Sequence, residues 1–183
     1  MKKRVIAFLL VFAIGLLSAC SISKAKDLSK YPNLLLGTNN GTENYKLMDN
    51  GYDATLESDG DGVKVIMTSH DDSGWLVLFY NDGQSQNCLA GNEGDTYTIA
   101  FEAKANIKDA EIRVSHKKGD SKASQIDFGT ANLNKADKWT QVILTGTLSG
   151  VEASSQGVYF DLRHNPAGTE ISIRNLKLIK GTV

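Results

Sequence analysis

In several parts of this chain, apolar and polar residues alternate one by one. This pattern limits the folds that the chain can adopt. The clearest run is Gly-Val-Tyr-Phe-Asp-Leu-Arg at 157–163, and residues 96–104 and 110–116 alternate in the same way. Successive side chains of a β-strand point to opposite faces. Each run therefore predicts a strand with one face in a core and the other face free.

The rest of the chain repeats this theme of short strands separated by turns rich in Gly, Asp and Asn. Strands are predicted at 63–68, 75–80, 96–104, 110–116, 139–148, 157–163 and 170–178. The run 75–80 is nearly all apolar, which is typical of a strand covered on both faces. The alternation changes phase at Arg174-Asn175, which predicts a bulge.

No stretch shows a sustained helical period, and the one helical alternative is a short turn at 133–137. Many short strands with turns between them indicate a sandwich or a barrel, and one-sided alternation favours two packed sheets. The fold class predicted here is all-β, a two-sheet antiparallel β-sandwich of the jelly-roll type.

The amino terminus has the features of an export signal. The cationic start Met-Lys-Lys-Arg precedes an apolar run at 5–17, which is shorter than the roughly 20 residues that span a bilayer. The run ends in Leu17-Ser18-Ala19-Cys20, which resembles the lipobox of bacterial lipoproteins. The resemblance implies cleavage before Cys20 and lipid on its thiol. An ordinary signal peptide with a chance cysteine, or an uncleaved anchor, is the alternative.

These features divide the chain into three parts. Residues 1–19 are expected to be a lipoprotein signal peptide, 20–32 the lipidated cysteine with a flexible tether, and 33–183 the β-sandwich. Localisation follows from the first part: the protein is expected outside the cytoplasm, held at the bacterial cell membrane by its lipid.

Charge and cysteine content exclude other classes. The chain has 20 basic and 21 acidic residues, and loss of the cationic start leaves it mildly acidic. A nucleic-acid partner is therefore not expected, because such surfaces need a basic patch. Lipidation of Cys20 leaves Cys88 without a disulfide partner, and we interpret Cys88 as a small apolar residue rather than a reactive thiol.

Four landmarks carry a resemblance to a known family. They are Asn-Leu-Leu at 33–35, Gly-Asp-Thr-Tyr-Thr-Ile-Ala-Phe-Glu-Ala-Lys at 94–104, Lys-Trp-Thr-Gln at 138–141 and Ile-Ser-Ile-Arg-Asn-Leu-Lys-Leu at 171–178. Their order resembles the carbohydrate-binding modules of the galactose-binding-like jelly-roll class, and jelly-roll domains of phage tail proteins are similar. The resemblance implies a glycan or polysaccharide as partner, with binding and no catalysis.

The resemblance also raises the question of a structural Ca²⁺, which many members hold near the two chain ends. Glu43, Asp49 and Asp53 are candidate ligands, whereas Arg174 stands where the family often has Asp. The loop at 59–62, Asp-Gly-Asp-Gly, lacks the spacing of an EF-hand and is interpreted as a plain turn. No cofactor is predicted, and Ca²⁺ stays an open alternative.

A sugar site needs an aromatic platform beside planar hydrogen-bonding groups. Outward positions of the predicted strands supply both, and aromatic residues at the two ends of 75–80 add further rings. The candidates for carbohydrate binding are Trp75, Tyr80, Glu102, Arg113, Tyr159, Asp161 and Arg163. His116 and His164 lie near strand ends, and Trp139 is expected in the core. An ordinary solvated strand face is the alternative for the charged members.

No catalytic residue is predicted. The sequence lacks a Gly-x-Ser-x-Gly elbow, a His-Glu-x-x-His motif and a phosphate-binding glycine loop. His70 and His116 have no metal-site spacing. The preferred function is glycan capture; a protein-interaction or adhesion module is the alternative, and a small hydrolase with paired carboxylates is less favoured.

Overall fold

Ten β-strands make up the fold in the computed structural model of the protein, which describes residues 25–37, 41–70, 73–81, 92–118, 124–149 and 155–183. Cys20 and Cys88, with the predictions made for them, lie outside these residues. The strands are β1 (Tyr45–Asn50), β2 (Ala54–Asp59), β3 (Gly62–Met67), β4 (Trp75–Tyr80), β5 (Thr96–Ala105), β6 (Ala110–Lys118), β7 (Ser124–Leu133), β8 (Thr140–Thr147), β9 (Ser155–Asp161) and β10 (Glu170–Lys180).

The strands form two antiparallel sheets of five strands each. Sheet A has the order β1-β4-β9-β6-β7, and sheet B has the order β2-β3-β10-β5-β8. The prediction of a two-sheet antiparallel sandwich is confirmed. The described part of the chain contains no helix that is long and apolar enough to cross a membrane.

The core lies between the two sheets and is filled by the inward positions of nearly every strand. The rings of Phe101 on β5 and Phe160 on β9 meet edge to face across it, with centroids 5.2 Å apart. Ile99, Ile112 and Leu178 are fully buried around them. Burial of a large apolar side chain stabilises the fold by about 1.5–3 kcal/mol each, so this shared layer holds the two sheets together.

The predicted bulge in the last strand is confirmed. Pairing of β10 with β5 shifts between Arg174 and Lys177, and Asn175 has a positive φ of 55°. The extra residue restores inward alternation, so that Ile173 before it and Leu176 after it are both buried.

Two expectations about burial are wrong. The outward residues of β4 are not covered by a second layer, and Trp75 is exposed. Trp139 lies outside the core, where the guanidinium of Arg174 stacks at 4.0 Å from its ring centroid and Lys104 approaches at 4.9 Å.

The segment at 133–137 is a turn, with Asp137 at a φ of 55°, and not a helical turn.

The amino-terminal segment also differs from the expected flexible tether, because residues 25–29 lie against sheet B. The backbone of Lys26 forms two hydrogen bonds with the side chain of Gln141, and Lys177 donates to the carbonyl of Leu28. Asn33 then joins the chain to β10 by accepting from the Leu178 amide.

Candidate functional site

The outer face of sheet A gathers the residues that the sequence marked for binding. Because side chains alternate along a strand, Trp75, Tyr159 and Arg113 point away from the core while their neighbours are buried. Strand pairing aligns Val77, Asp161 and Arg113 in one row across the sheet. The next row aligns Phe79, Tyr159, Ser115 and Asp127. We call this surface the A face.

One half of the A face is aromatic. The rings of Phe79 and Tyr159 lie 4.6 Å apart, centroid to centroid, with a 38° angle between their planes. Trp75, on the same strand as Phe79, has 38% of its surface exposed. Gly157 lies beneath this pair with a φ of 141°, and a Cβ there would meet the Phe79 ring at 2.9 Å. The glycine therefore leaves the space in which the Phe79 ring sits.

The other half of the A face is charged. Arg113 on β6 donates to Asp127 on β7 at 2.7 Å. Arg163 donates from Nε and from its terminal nitrogen to Asp161, at 2.9 and 2.6 Å. The carboxylates hold both guanidinium groups in place, so each planar donor group presents its remaining N–H bonds in a fixed direction.

The protonation states of this face suit hydrogen bonding to a neutral ligand. The hydrogen bond that Arg113 donates to Asp127 raises the pKa of Arg113, and the hydrogen bonds that Arg163 donates to Asp161 raise the pKa of Arg163. Burial raises the pKa of the Tyr159 hydroxyl, which therefore stays protonated at neutral pH and can donate. The face thus combines aromatic rings with guanidinium groups and carboxylates held in hydrogen bonds.

Two candidate residues do not belong to this face. Tyr80 is 1% exposed and packs edge to face on Tyr45 inside the sandwich, because it is an odd number of positions from Trp75. Glu102 points outward from the opposite sheet, where it accepts hydrogen bonds from Arg174 and Asn175. The prediction that Tyr80 and Glu102 lie with the other candidates is therefore wrong.

The histidines are likewise dispersed. His116 is fully buried, His70 packs its ring against Tyr52, and His164 lies 4.0 Å from Glu111 at the end of the A face. Within the described ranges, no three His, Cys, Asp or Glu side chains group closely enough to hold a metal ion.

The residues considered for Ca²⁺ do not form a set of ligands. Asp53 accepts a hydrogen bond from Ser69, and Asp49 lies on β1 of sheet A. The loop after β2 is a two-residue hairpin turn in which Asp59 pairs with Gly62, as the sequence indicated. The Asp59 carboxylate accepts a hydrogen bond from the Ser172 hydroxyl. Ca²⁺ therefore stays an open alternative.

The outer face of sheet B is built differently. Its charged side chains pair with one another, as in Lys64 with Glu57 and Glu170, and Lys104 with Asp59. Cationic side chains lie over the ring of Trp139. Residues 25–29 lie over part of the remaining surface. Among the described residues, the A face is therefore where an exposed ring, Trp75, and two half-buried rings lie on the same surface as fixed polar groups.

Sequence reasoning missed one ring and one carboxylate of the A face. Phe79 was hidden in an apolar run, although its even spacing from Trp75 already placed the two on one side. Asp127 was missed because β7 was not predicted. The apolar pair Ile126 and Phe128 flanking Asp127 is the signal that could have placed it outward.

Comparison with solved structures identifies the fold. The family 4 carbohydrate-binding module CBM4 superposes with a TM-score of 0.55 at 17% identity, over 78% of this chain and 92% of that one. The N-terminal cellulose-binding domain of Cellulomonas fimi β-1,4-glucanase C gives 0.52 at 19% identity, over 79% and 93%. A mutant of CBM29-2, from family 29, gives 0.50 at 14% identity, over 82% and 84%.

The sequence itself matches no protein-family model and no curated protein. At these identities the structural likeness concerns architecture, and function has to be argued from the site. The described domain has the jelly-roll sandwich fold of carbohydrate-binding modules.

Proposed function

We propose that the protein binds carbohydrate without catalysis, through the A face. The observation that carries the proposal is the Phe79–Tyr159 ring pair beside two aspartate-held arginines, Arg113 on β6 and Arg163 just after β9. The proteins of like fold named above are carbohydrate-binding and cellulose-binding modules, which supports the same reading.

The chemistry of a sugar matches this arrangement. A pyranose ring has apolar C–H faces that stack on aromatic rings, and its hydroxyls both donate and accept. Trp75, Phe79 and Tyr159 supply the rings, while Arg113 donates and Asp161 accepts at the next position across the sheet. A flat, open row of this kind suits a chain of sugar units better than a single enclosed sugar.

The test is glycan binding by residues 21–183, first on a broad array and then by calorimetric titration of the best ligand. The double variant Tyr159→Ala/Arg163→Ala removes one ring and one forked donor. Each loss costs about 1–1.5 kcal/mol, which predicts a Kd weaker by about 50-fold.

A matched control lies on the opposite sheet. Trp139→Ala/Arg174→Ala also removes one ring and one arginine, which are stacked at 4.0 Å. This variant is expected to bind as the unaltered domain does, after Tm measurements show that both variants are folded. A domain that binds no glycan contradicts the function and favours the protein-interaction alternative. Loss of binding in the control alone moves the site to sheet B.

We further propose that the protein is exported and anchored through lipid on Cys20, as the lipobox-like tetrapeptide indicates. Two acyl chains hold a protein durably at a bilayer, since each buried CH₂ contributes about 0.8 kcal/mol. Labelling of the expressed full chain with a radioactive fatty acid, and its loss in Cys20→Ser, tests the anchor independently of sugar binding.

A further inference from the structure

The segment that leads from the proposed lipid site is bound across the outer face of sheet B. The amide of Lys26 donates to Gln141 Oε1 at 2.7 Å, and Gln141 Nε2 donates to the Lys26 carbonyl at 2.8 Å. Lys177 Nζ donates to the Leu28 carbonyl at 2.6 Å. Residues 25–29 therefore cross from β8 to β10, and we call them the strap.

The strap replaces solvent over the middle of this face. Ala100 points outward from β5, which lies between β8 and β10, yet only 2% of its surface is exposed. The strap and the strands beneath it border an open groove of about 530 Å³, lined by Ala100, Gln141 and Lys177 among others. Asn33 continues the attachment by bonding the backbone of Leu176 and Leu178.

The few residues between Cys20 and the strap limit how far the strap can lie from a lipid on Cys20. Only residues 21–24 separate Cys20 from Ala25. Five extended Cα–Cα steps span at most about 18 Å. A lipid on Cys20 therefore brings the strap within that distance of the headgroups, whatever path the intervening residues take.

We propose that the strap orients the whole domain, with sheet B toward the lipid headgroups and the A face turned away from the membrane. The partner of the strap side of sheet B is thus the bilayer surface itself. The side-chain bonds of Gln141 and Lys177 hold this orientation, which keeps the A face open to large ligands. The inference rests on the proposed lipid anchor and leaves sugar binding as a separate question.

Energy transfer to the membrane tests the orientation. The full lipidated chain, with Cys88→Ser, carries one donor dye at Thr145→Cys on the outer face of sheet B, or at Thr130→Cys on the A face; both positions are exposed. It is inserted into vesicles of phosphatidylethanolamine and phosphatidylglycerol that contain headgroup-labelled acceptor lipid. Transfer from position 145 is expected to exceed transfer from position 130.

The variant Gln141→Ala/Lys177→Ala releases the strap without touching the A face. It is expected to abolish the difference between the two dye positions while sugar binding is retained. Equal transfer from both positions in the unaltered strap, or an unchanged difference in the released variant, overturns the proposal. A chain that fails to float with the vesicles instead contradicts the lipid anchor, and flotation is measured on the same samples.

Discussion

At the scale of the residue, Gly157 connects the fold to the A face. Its φ of 141° disfavours any side chain, and a Cβ would contact both the Tyr80 carbonyl and the Phe79 ring. Gly157→Ala is expected to lower the free energy of unfolding by about 3 kcal/mol, since strain and overpacking add. Urea unfolding measures this change, and glycan titration of the folded fraction is expected to show weaker binding because the Phe79 ring is displaced.

Gly168 provides the matched control for backbone strain alone. Its φ is 84°, but a Cβ there meets no atom within 4 Å. Gly168→Ala is expected to cost only the left-handed conformation, about 1–2 kcal/mol, and to leave glycan binding unchanged. Equal losses of stability in the two variants would show that contact with Phe79 and Tyr80 contributes nothing.

At the scale of the element, the sequence predicted inner strands better than edge strands. The strands β5, β9 and β10 alternate clearly because one face of each packs in the core. The strands that were missed, β1, β2 and β7, all lie at sheet edges, where polar residues are favoured over a long apolar pattern.

The same limits explain the errors at the candidate site. A positive φ at Gly129 accompanies a register shift in β7. The inward side chains therefore fall on even-numbered positions up to Phe128 and on odd-numbered positions from Ala131, so the sequence of β7 shows no continuous alternation. Alternation shows which residues of a strand point outward, but it does not show to which sheet the strand belongs. Glu102 was grouped with Arg113 for that reason, although β5 and β6 are in different sheets.

The attachment of the amino-terminal segment to β10 is an element-scale feature that mutation can test. Asn33 Oδ1 accepts from the amides of Leu35 and Leu178, and its Nδ2 donates to the Leu176 carbonyl. Asn33→Ala leaves these partly buried groups without that partner and is expected to cost about 1–3 kcal/mol.

The midpoint of urea unfolding measures this loss, with an unchanged slope as the sign that the folded state is still compact. Asn134→Ala, an equivalent change in the exposed turn between β7 and β8, is the control and is expected to stay within about 0.5 kcal/mol. Equal effects of the two variants would mean that Asn33 does not fasten the segment to β10.

At the scale of the whole molecule, two carboxylates of sheet B form hydrogen bonds and ion pairs between segments, and they make stability depend on pH. The hydrogen bond from Ser172, with Lys104 nearby, lowers the pKa of Asp59. The hydrogen bonds from Lys180 and from the Asn92 amide lower the pKa of Asp95. These bonds join β2 to β10, and the start of β5 to the end of β10.

The sign of the effect follows from the direction of both shifts. A folded-state pKa below the unfolded value of about 3.9 means that the unfolded chain takes up protons first as the pH falls. The stabilisation is therefore complete above about pH 5, and it is lost as the pH drops through the lowered folded-state values. Urea unfolding at a series of pH values is expected to show a level region near neutrality and a decline below pH of about 4.

Asp59→Asn/Asp95→Asn removes both titrations and keeps the shape of the side chains. This variant is expected to be less stable than the unaltered domain at pH 7 and to lose less stability on acidification, so that the two curves converge at low pH. Parallel curves would mean that other carboxylates carry the acid sensitivity. Because both aspartates lie away from the A face, glycan affinity at pH 7 is expected to be equal in the two proteins, which separates the stability of the sandwich from the chemistry of its binding surface.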